Sequence, residues 1–250
     1  MKKGITFVVR CRNEEDTLEK SLMSLSELKI PYEINIFLHL CTDRSREIAE
    51  KLKSHLNINI FEYDKEVSRA GYETYITPEE HENSFVVYSR YCFSKSNFDW
   101  IFRWDSDFFA TPELIDFLNK IDFNSNQKIR YKIPCRLGDN GPINGEIYLS
   151  NCFAGVKKYM FWELYLHYSD SIEIDLTPVC RIDSVGINKV KEYWKNTPWF
   201  FGKDKTLQDA YVDLVSKWGE EPVGMARASN PECDKYINLA LNNSSESNNL

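Results

Sequence analysis

Four short apolar runs constrain this chain most: Ile5–Val9, Ile34–Leu38, Ile58–Phe61 and Trp100–Trp104. Each has the length of a strand, and helical periodicity lies between most of them. A helix from about Glu14 to Leu28 would carry Leu18, Leu22, Leu25 and Leu28 on one face, ending before Pro31. Thr42-Asp43 is a good N-cap for a second helix bearing Ile48, Ala49, Leu52 and Leu56. Residues 64–83 lose the pattern, hold Gly71 and Pro78, and read as an insertion or loop before a helix through Val86–Phe93. Strands separated by helices imply right-handed βαβ units and a mostly parallel sheet, an α/β fold.

The texture changes after Thr111-Pro112-Glu113, a helix start with proline at its first position. Lys128–Pro134 and Glu146–Leu149 read as paired strands around the turn-rich Gly138–Pro142. Residues 151–200 are aromatic-rich and irregular. They include Trp194 and Trp199, large aromatics that suit a core as well as a sugar face. A last amphipathic helix is expected near Thr206–Trp218, and 241–250 reads as a disordered tail.

A net charge of −7 without a clustered basic stripe argues against nucleic acid as the main partner. The seven cysteines are odd in number and scattered, with no C-x-x-C, which points to reduced thiols of a cytoplasmic protein. No leader is expected from Met1-Lys2-Lys3-Gly4, and no apolar run approaches the ~20 residues of a membrane helix. Attachment at a membrane periphery stays open.

The fourth apolar run ends in Asp105-Ser106-Asp107. In an open α/β sheet the carboxyl ends of the strands face the ligand crevice. Two hard oxygen donors there suit Mn²⁺ or Mg²⁺, ions that also bind phosphate oxygens. The other reading of the pair is an acidic cap on the helix that begins near Pro112.

Taken together, Val9-Arg10-Cys11-Arg12-Asn13-Glu14-Glu15, then Cys41-Thr42-Asp43-Arg44-Ser45, then Asp105-Ser106-Asp107 resemble the strand-end motifs of family 2 glycosyltransferases of the GT-A fold. The resemblance covers about residues 4–115. It implies a Rossmann-like αβα sandwich with a smaller, irregular acceptor-side region. Residues 1–120 would be the half that binds a nucleotide-sugar donor, and 121–240 the half that binds a glycan, lipid-linked or protein acceptor and supplies the general base. It further implies a metal held by Asp107 and Asp105, with Asp183 completing the shell. Glu14 and Asp43 would lie near the donor nucleoside, and Arg90 would lean toward its phosphates. Asp175, in Glu173-Ile174-Asp175-Leu176, matches the general base least badly, with Asp170 and Asp183 as competitors. His167 could do either job, or simply pack.

This chain also departs from the family pattern. Leu38-His39-Leu40 stands where the family has its base-binding acidic pair, so His39 is either a base contact or a solvated loop residue. Arg10-Cys11-Arg12 replaces the usual Pro-Thr-Tyr, and the Arg12 guanidinium could stack on a base as an aromatic ring does. The expected activity is inverting transfer of a sugar to a hydroxyl. The alternatives are an inactive sugar-nucleotide or glycan-binding module, which the altered 38–40 segment permits, and a nucleotidyltransferase, which would want a glycine-rich loop after the first strand. No G-x-G-x-x-G follows Val9, which argues against a Rossmann dehydrogenase.

Overall fold

The computed structural model describes residues 2–68, 74, 77–137, 143–159, 162–174 and 179–181. By its contacts the chain divides into two units. One comprises residues 1–66, 89–156 and 165–188, and the other 67–88, 157–164 and 189–250.

The first unit is built on a sheet of nine strands among the described residues. Strands β1 (Ile5–Cys11), β2 (Tyr32–His39), β3 (Ile58–Tyr63) and β4 (Trp100–Asp105) are parallel and stand in the order β3-β2-β1-β4. β1 is therefore interior, with Val9 opposite Ile36 on one side and Trp104 on the other. Past β4 the sheet continues through β5 (Phe108–Ala110), β6 (Arg130–Leu137), β7 (Ile143–Ser150), β10 (Ser171–Glu173) and β11 (Val179–Arg181). β7 is antiparallel to both β4 and β6, and β10 and β11 run parallel to β6. β8 (Phe153–Tyr159) and β9 (Trp162–His167) form a separate two-stranded sheet. The α/β class with a mostly parallel central sheet is as expected.

The alternation of side chains sorts the two faces. Ile5, Phe7, Val9 and Cys11 of β1 join Trp100, Phe102 and Trp104 of β4 in one buried cluster. That cluster is covered by α1 (Leu18–Met23), α2 (Ser45–Leu52) and α4 (Pro112–Asn119). Two side-chain bonds fix α1 to the strands that carry the acid pair. Trp104 Nε1 donates to Ser21 Oγ at 3.0 Å, and the Ala110 amide donates to Ser24 Oγ at 2.9 Å. The opposite face packs on α3 (Phe85–Ser94), through Tyr91 against Phe37 and through Asn35, which donates to the Lys95 carbonyl. The arrangement has helices on both faces of the sheet.

A buried carboxylate fastens the amino ends of the strands. Glu33, 4% exposed, accepts from Thr6 Oγ1 at 2.7 Å, the Asn97 amide at 2.7 Å, Asn97 Nδ2 at 2.8 Å and Asn59 Nδ2 at 3.2 Å. Nearby, Gly4 has φ 148°, and a Cβ there would come within 2.7 Å of the Pro31 carbonyl oxygen. Glycine is required at that crossing.

Two expectations are corrected. The helix expected over 14–28 is α-helical only at Leu18–Met23, because Leu25, Ser26 and Leu28 donate to carbonyls three residues back. The apolar spacing persists through these tighter turns, so Leu25 and Leu28 are still buried. The irregular region expected over 151–200 contains regular strands β8–β11. The α4 expectation holds: Thr111 Oγ1 accepts from the Leu114 amide, with Pro112 following it. The helix expected at 206–218, Trp194, Trp199 and the 241–250 tail lie outside the described residues.

In the second unit, Ser68 bonds the Asn83 carbonyl through its amide and accepts from the Phe85 amide at its hydroxyl. Lys158 donates to Glu79 from its backbone and to the Thr77 carbonyl from its ammonium.

Candidate functional site

Because β2, β1 and β4 are adjacent and parallel, the three motif segments leave the sheet at the same edge. Two of them are laced together. Asn13, at φ 58°, accepts the Thr42 amide at 2.8 Å. The Glu14 amide donates to Ser45 Oγ at 2.8 Å, and the Glu15 amide donates to Asp43 Oδ2 at 2.9 Å. Glu15 in turn pairs with Arg44 at 3.1 Å. Asp43 Oδ1 accepts the Ser45 amide at 3.0 Å, so Asp43 serves the start of α2 and the first loop together. The residue at the N-cap position of α2 is Arg44, which makes no side-chain cap. Glu14 accepts from Thr17 Oγ1 at 3.2 Å.

The third segment is positioned by an arginine that the motif reading passed over. Arg103 Nη2 lies 2.8 Å from Oδ1 and 3.1 Å from Oδ2 of Asp105. The two residues share a face of β4 by the two-residue period, so a charged residue two positions before the acid pair was the available signal. Arg10 stands opposite Asp105 in the ladder and donates from Nη1 to Ser89 Oγ at 2.8 Å. Asp107 is half-buried in the turn between β4 and β5.

At the rim, Arg12 is 44% exposed and pairs with Glu66 at 3.6 Å. His39 is not a solvated loop residue: it is 6% exposed at the end of β2, and its Nε2 donates to the Lys65 carbonyl at 3.0 Å. Burial, reinforced by the Arg12 charge, holds its imidazole below the usual histidine range. Arg90 of α3 donates from Nε to the Val156 carbonyl at 2.9 Å.

Below Arg103 lies a small cavity of about 80 Å³, walled by Phe93, Tyr148, Phe153, Tyr165 and His167. The guanidinium sits 5.7 Å over the Tyr165 ring. Both His167 ring nitrogens are buried without a hydrogen-bond partner, and its ring meets those of Tyr148 and Phe153 at 5.7 and 5.8 Å. Burial first, then the Arg130 charge, pushes its pKa down to about 4. These are the surroundings of a packing histidine. Asp170 is exposed, and Asp175 and Asp183 lie outside the described residues.

Among the described residues, no group of three or more His, Cys, Asp or Glu is placed to hold a metal. The donor set itself has the right chemistry for part of a shell: two carboxylates on one tight turn, one of them already oriented by an arginine. Such a pair suits a hard cation whose remaining ligands are phosphate oxygens and water.

Among solved structures, the chain is similar to the mannosyltransferase PcManGT from Pyrobaculum calidifontis in complex with GDP-Man and Mn²⁺. That match has a TM-score of 0.49 at 10% identity and covers 100% of this chain and 77% of that one. S. aureus TarS 1–349 in complex with UDP-GlcNAc matches at 0.46 and 12% identity, over 97% and 72% of the two chains. Glucosyl-3-phosphoglycerate synthase from Mycobacterium tuberculosis in complex with Mn²⁺, UDP and phosphoglyceric acid matches at 0.38 and 16%, over 61% and 60%. No protein-family model and no curated protein matches. Among the described residues no helix is long and apolar enough to cross a membrane. These likenesses, at 10–16% identity and TM-scores of 0.38–0.49, are of backbone alone.

Proposed function

We propose that this protein is a metal-dependent glycosyltransferase, moving a sugar from a nucleotide-sugar donor to an acceptor hydroxyl with inversion. One observation carries the reading: three polar segments, at 12–15, 42–45 and 105–107, leave adjacent parallel strands at one edge, two of them tied by amide-to-side-chain bonds.

In this reading Asp107 and Asp105 hold Mn²⁺ or Mg²⁺, with Asp183 as a further ligand. The ion supplies countercharge for the departing diphosphate. Arg103 holds the Asp105 carboxylate in place. Arg10 and Arg90 add positive charge around the phosphates, while Glu14, Asp43 and His39 shape the nucleoside pocket. Arg12 offers its planar face to the base. Asp175 takes the acceptor's proton. Residues 1–120 bind the donor and 121–240 the acceptor, in a cytoplasmic protein with or without peripheral attachment to a membrane.

The test is donor hydrolysis and transfer across UDP- and GDP-sugars with Mn²⁺. Asp107→Asn is expected to lower turnover by ~100-fold or more, as when a group that stabilises developing charge is removed. Unchanged turnover in that variant would refute the metal assignment.

A further inference from the structure

Cys11 is the last residue of β1, and Cys41 lies two residues beyond β2. The ladder pairs Cys11 with Leu38, and the turn through Leu40 (φ 47°) brings Cys41 beside Cys11 although the sequence separates them. Cys41 Sγ donates to the Cys11 carbonyl at 3.3 Å, and each thiol shifts the titration of the other. Both belong to the same packed layer: Cys11 is 1% exposed in the core cluster, and the half-buried Cys41 packs against that cluster. Neither is in a disulfide.

Their surroundings make them unequal. The Cys11 thiol donates toward Cys41, and the Asn13 amide adds a second hydrogen bond there; together they hold the Cys41 thiol down to about 7. The same partnership, with burial, drives the Cys11 thiol strongly upward. A thiolate is the nucleophile in sulfur chemistry, so the accessible member is the reactive one and the buried member keeps its proton.

We propose that Cys41 and Cys11 form an oxidation site for peroxide-class oxidants, with Cys41 as the attacking thiol and Cys11 as the resolving one. The Cys41 thiolate attacks one peroxide oxygen, the O–O bond breaks, and the departing hydroxide takes a proton to become water. This leaves Cys41 as a sulfenic acid. The Cys11 sulfur then attacks the Cys41 sulfur, forming the S–S bond as the S–O bond breaks. The hydroxide expelled takes the Cys11 proton and leaves as a second water. Two thiols lose two hydrogens in all, and one peroxide becomes two waters. The resulting bond ties the segment that precedes Arg12–Glu15 to the one that precedes Thr42–Ser45. The site is a property of the thiol pair and does not depend on the transferase reading.

The experiment treats the full chain with hydrogen peroxide, reads the intact mass, then unfolds the chain in guanidinium, blocks remaining thiols with N-ethylmaleimide and maps the peptides. The expected result is a loss of about 2 Da, a Cys11–Cys41 linked peptide, and full reversal by dithiothreitol. Cys11→Ser should stop the reaction at a dimedone-reactive Cys41. Cys41→Ser should leave Cys11 as slow to react as the buried Cys135. Finding both Cys11 and Cys41 still blocked by N-ethylmaleimide after peroxide, in wild type folded by circular dichroism, overturns the proposal. UDP and GDP binding, measured on both redox forms, separates this from the functional reading. Failure to bind either nucleotide in both forms counts against the transferase and leaves the disulfide standing.

Discussion

Glu33→Gln is the substitution whose cost follows most directly from the geometry. The native carboxylate is nearly inaccessible, and each of its oxygens receives two donors: Thr6 Oγ1 and the Asn97 amide on Oε1, Asn59 Nδ2 and Asn97 Nδ2 on Oε2. A glutamine fits the same space with one oxygen and one NH₂. Whichever way the amide turns, its NH₂ faces one of the two Asn97 donors, which loses its acceptor, while the Thr6 hydroxyl can turn to accept and Asn59 Nδ2 keeps Asn35 Oδ1. The bonds that survive lose their charge assistance. A hydrogen bond to a charged group is worth about 1.5–3 kcal/mol, which is the loss expected for the one donor left unsatisfied. For a chain of this size each kcal/mol moves the melting temperature by about 2–4 °C, so a fall of roughly 3–12 °C is expected. Differential scanning calorimetry at pH 7 on wild type and E33Q reads it. A loss below about 1 kcal/mol would show that the cluster relaxes around an amide, and would refute the view that it pins the amino ends of β1, β2 and β3.

Two further outcomes are expected. Asp43→Ala removes the acceptor for the Glu15 and Ser45 amides; because the site is half-exposed and water can replace part of the loss, the expected destabilisation is about 1–2 kcal/mol in thermal melts, with Asp43→Asn, which keeps an acceptor oxygen for only one of the two amides, losing about half of that. His167 is neutral when folded down to about pH 4 but takes a proton near pH 6.5 when unfolded, so the unfolded state binds more protons between those values and stability falls as pH drops through that window. After allowance for solvent screening the loss is of order 1–2 kcal/mol. His167→Phe should flatten the melting temperature between pH 7 and pH 4 relative to wild type, and a parallel pH profile would remove histidine from the account.

Much of the first hundred residues could be read from hydrophobic spacing alone, because β1 to β4 are short apolar runs whose neighbours in sequence or one strand away become neighbours in the sheet. The acid pair was legible for the same reason: it interrupts such a run. What spacing could not reveal were bonds between backbone amides and side chains some thirty residues away, as from Glu14 to Ser45 and from Glu15 to Asp43. These bonds turn residues that look like ligands into struts of the loops. The two-stranded sheet of β8 and β9 escaped because Phe153, Lys157, Lys158 and Tyr159 mix apolar and charged groups without a two-residue period. His39 looked like loop because it follows the apolar run, whereas the ladder with β3 extends one residue further and buries it against Tyr63.

The interior position of β1 has a consequence for how the chain is made. One side of the strand is closed by β2, but the other waits for β4, since Ile5 pairs with Trp100. At ordinary synthesis rates roughly ninety residues take about 5–20 s to emerge, far longer than local hydrophobic collapse. For that interval the nascent chain presents an unpaired ribbon of Phe7, Val8 and Val9, the kind of edge that invites chaperone capture or intermolecular strand pairing.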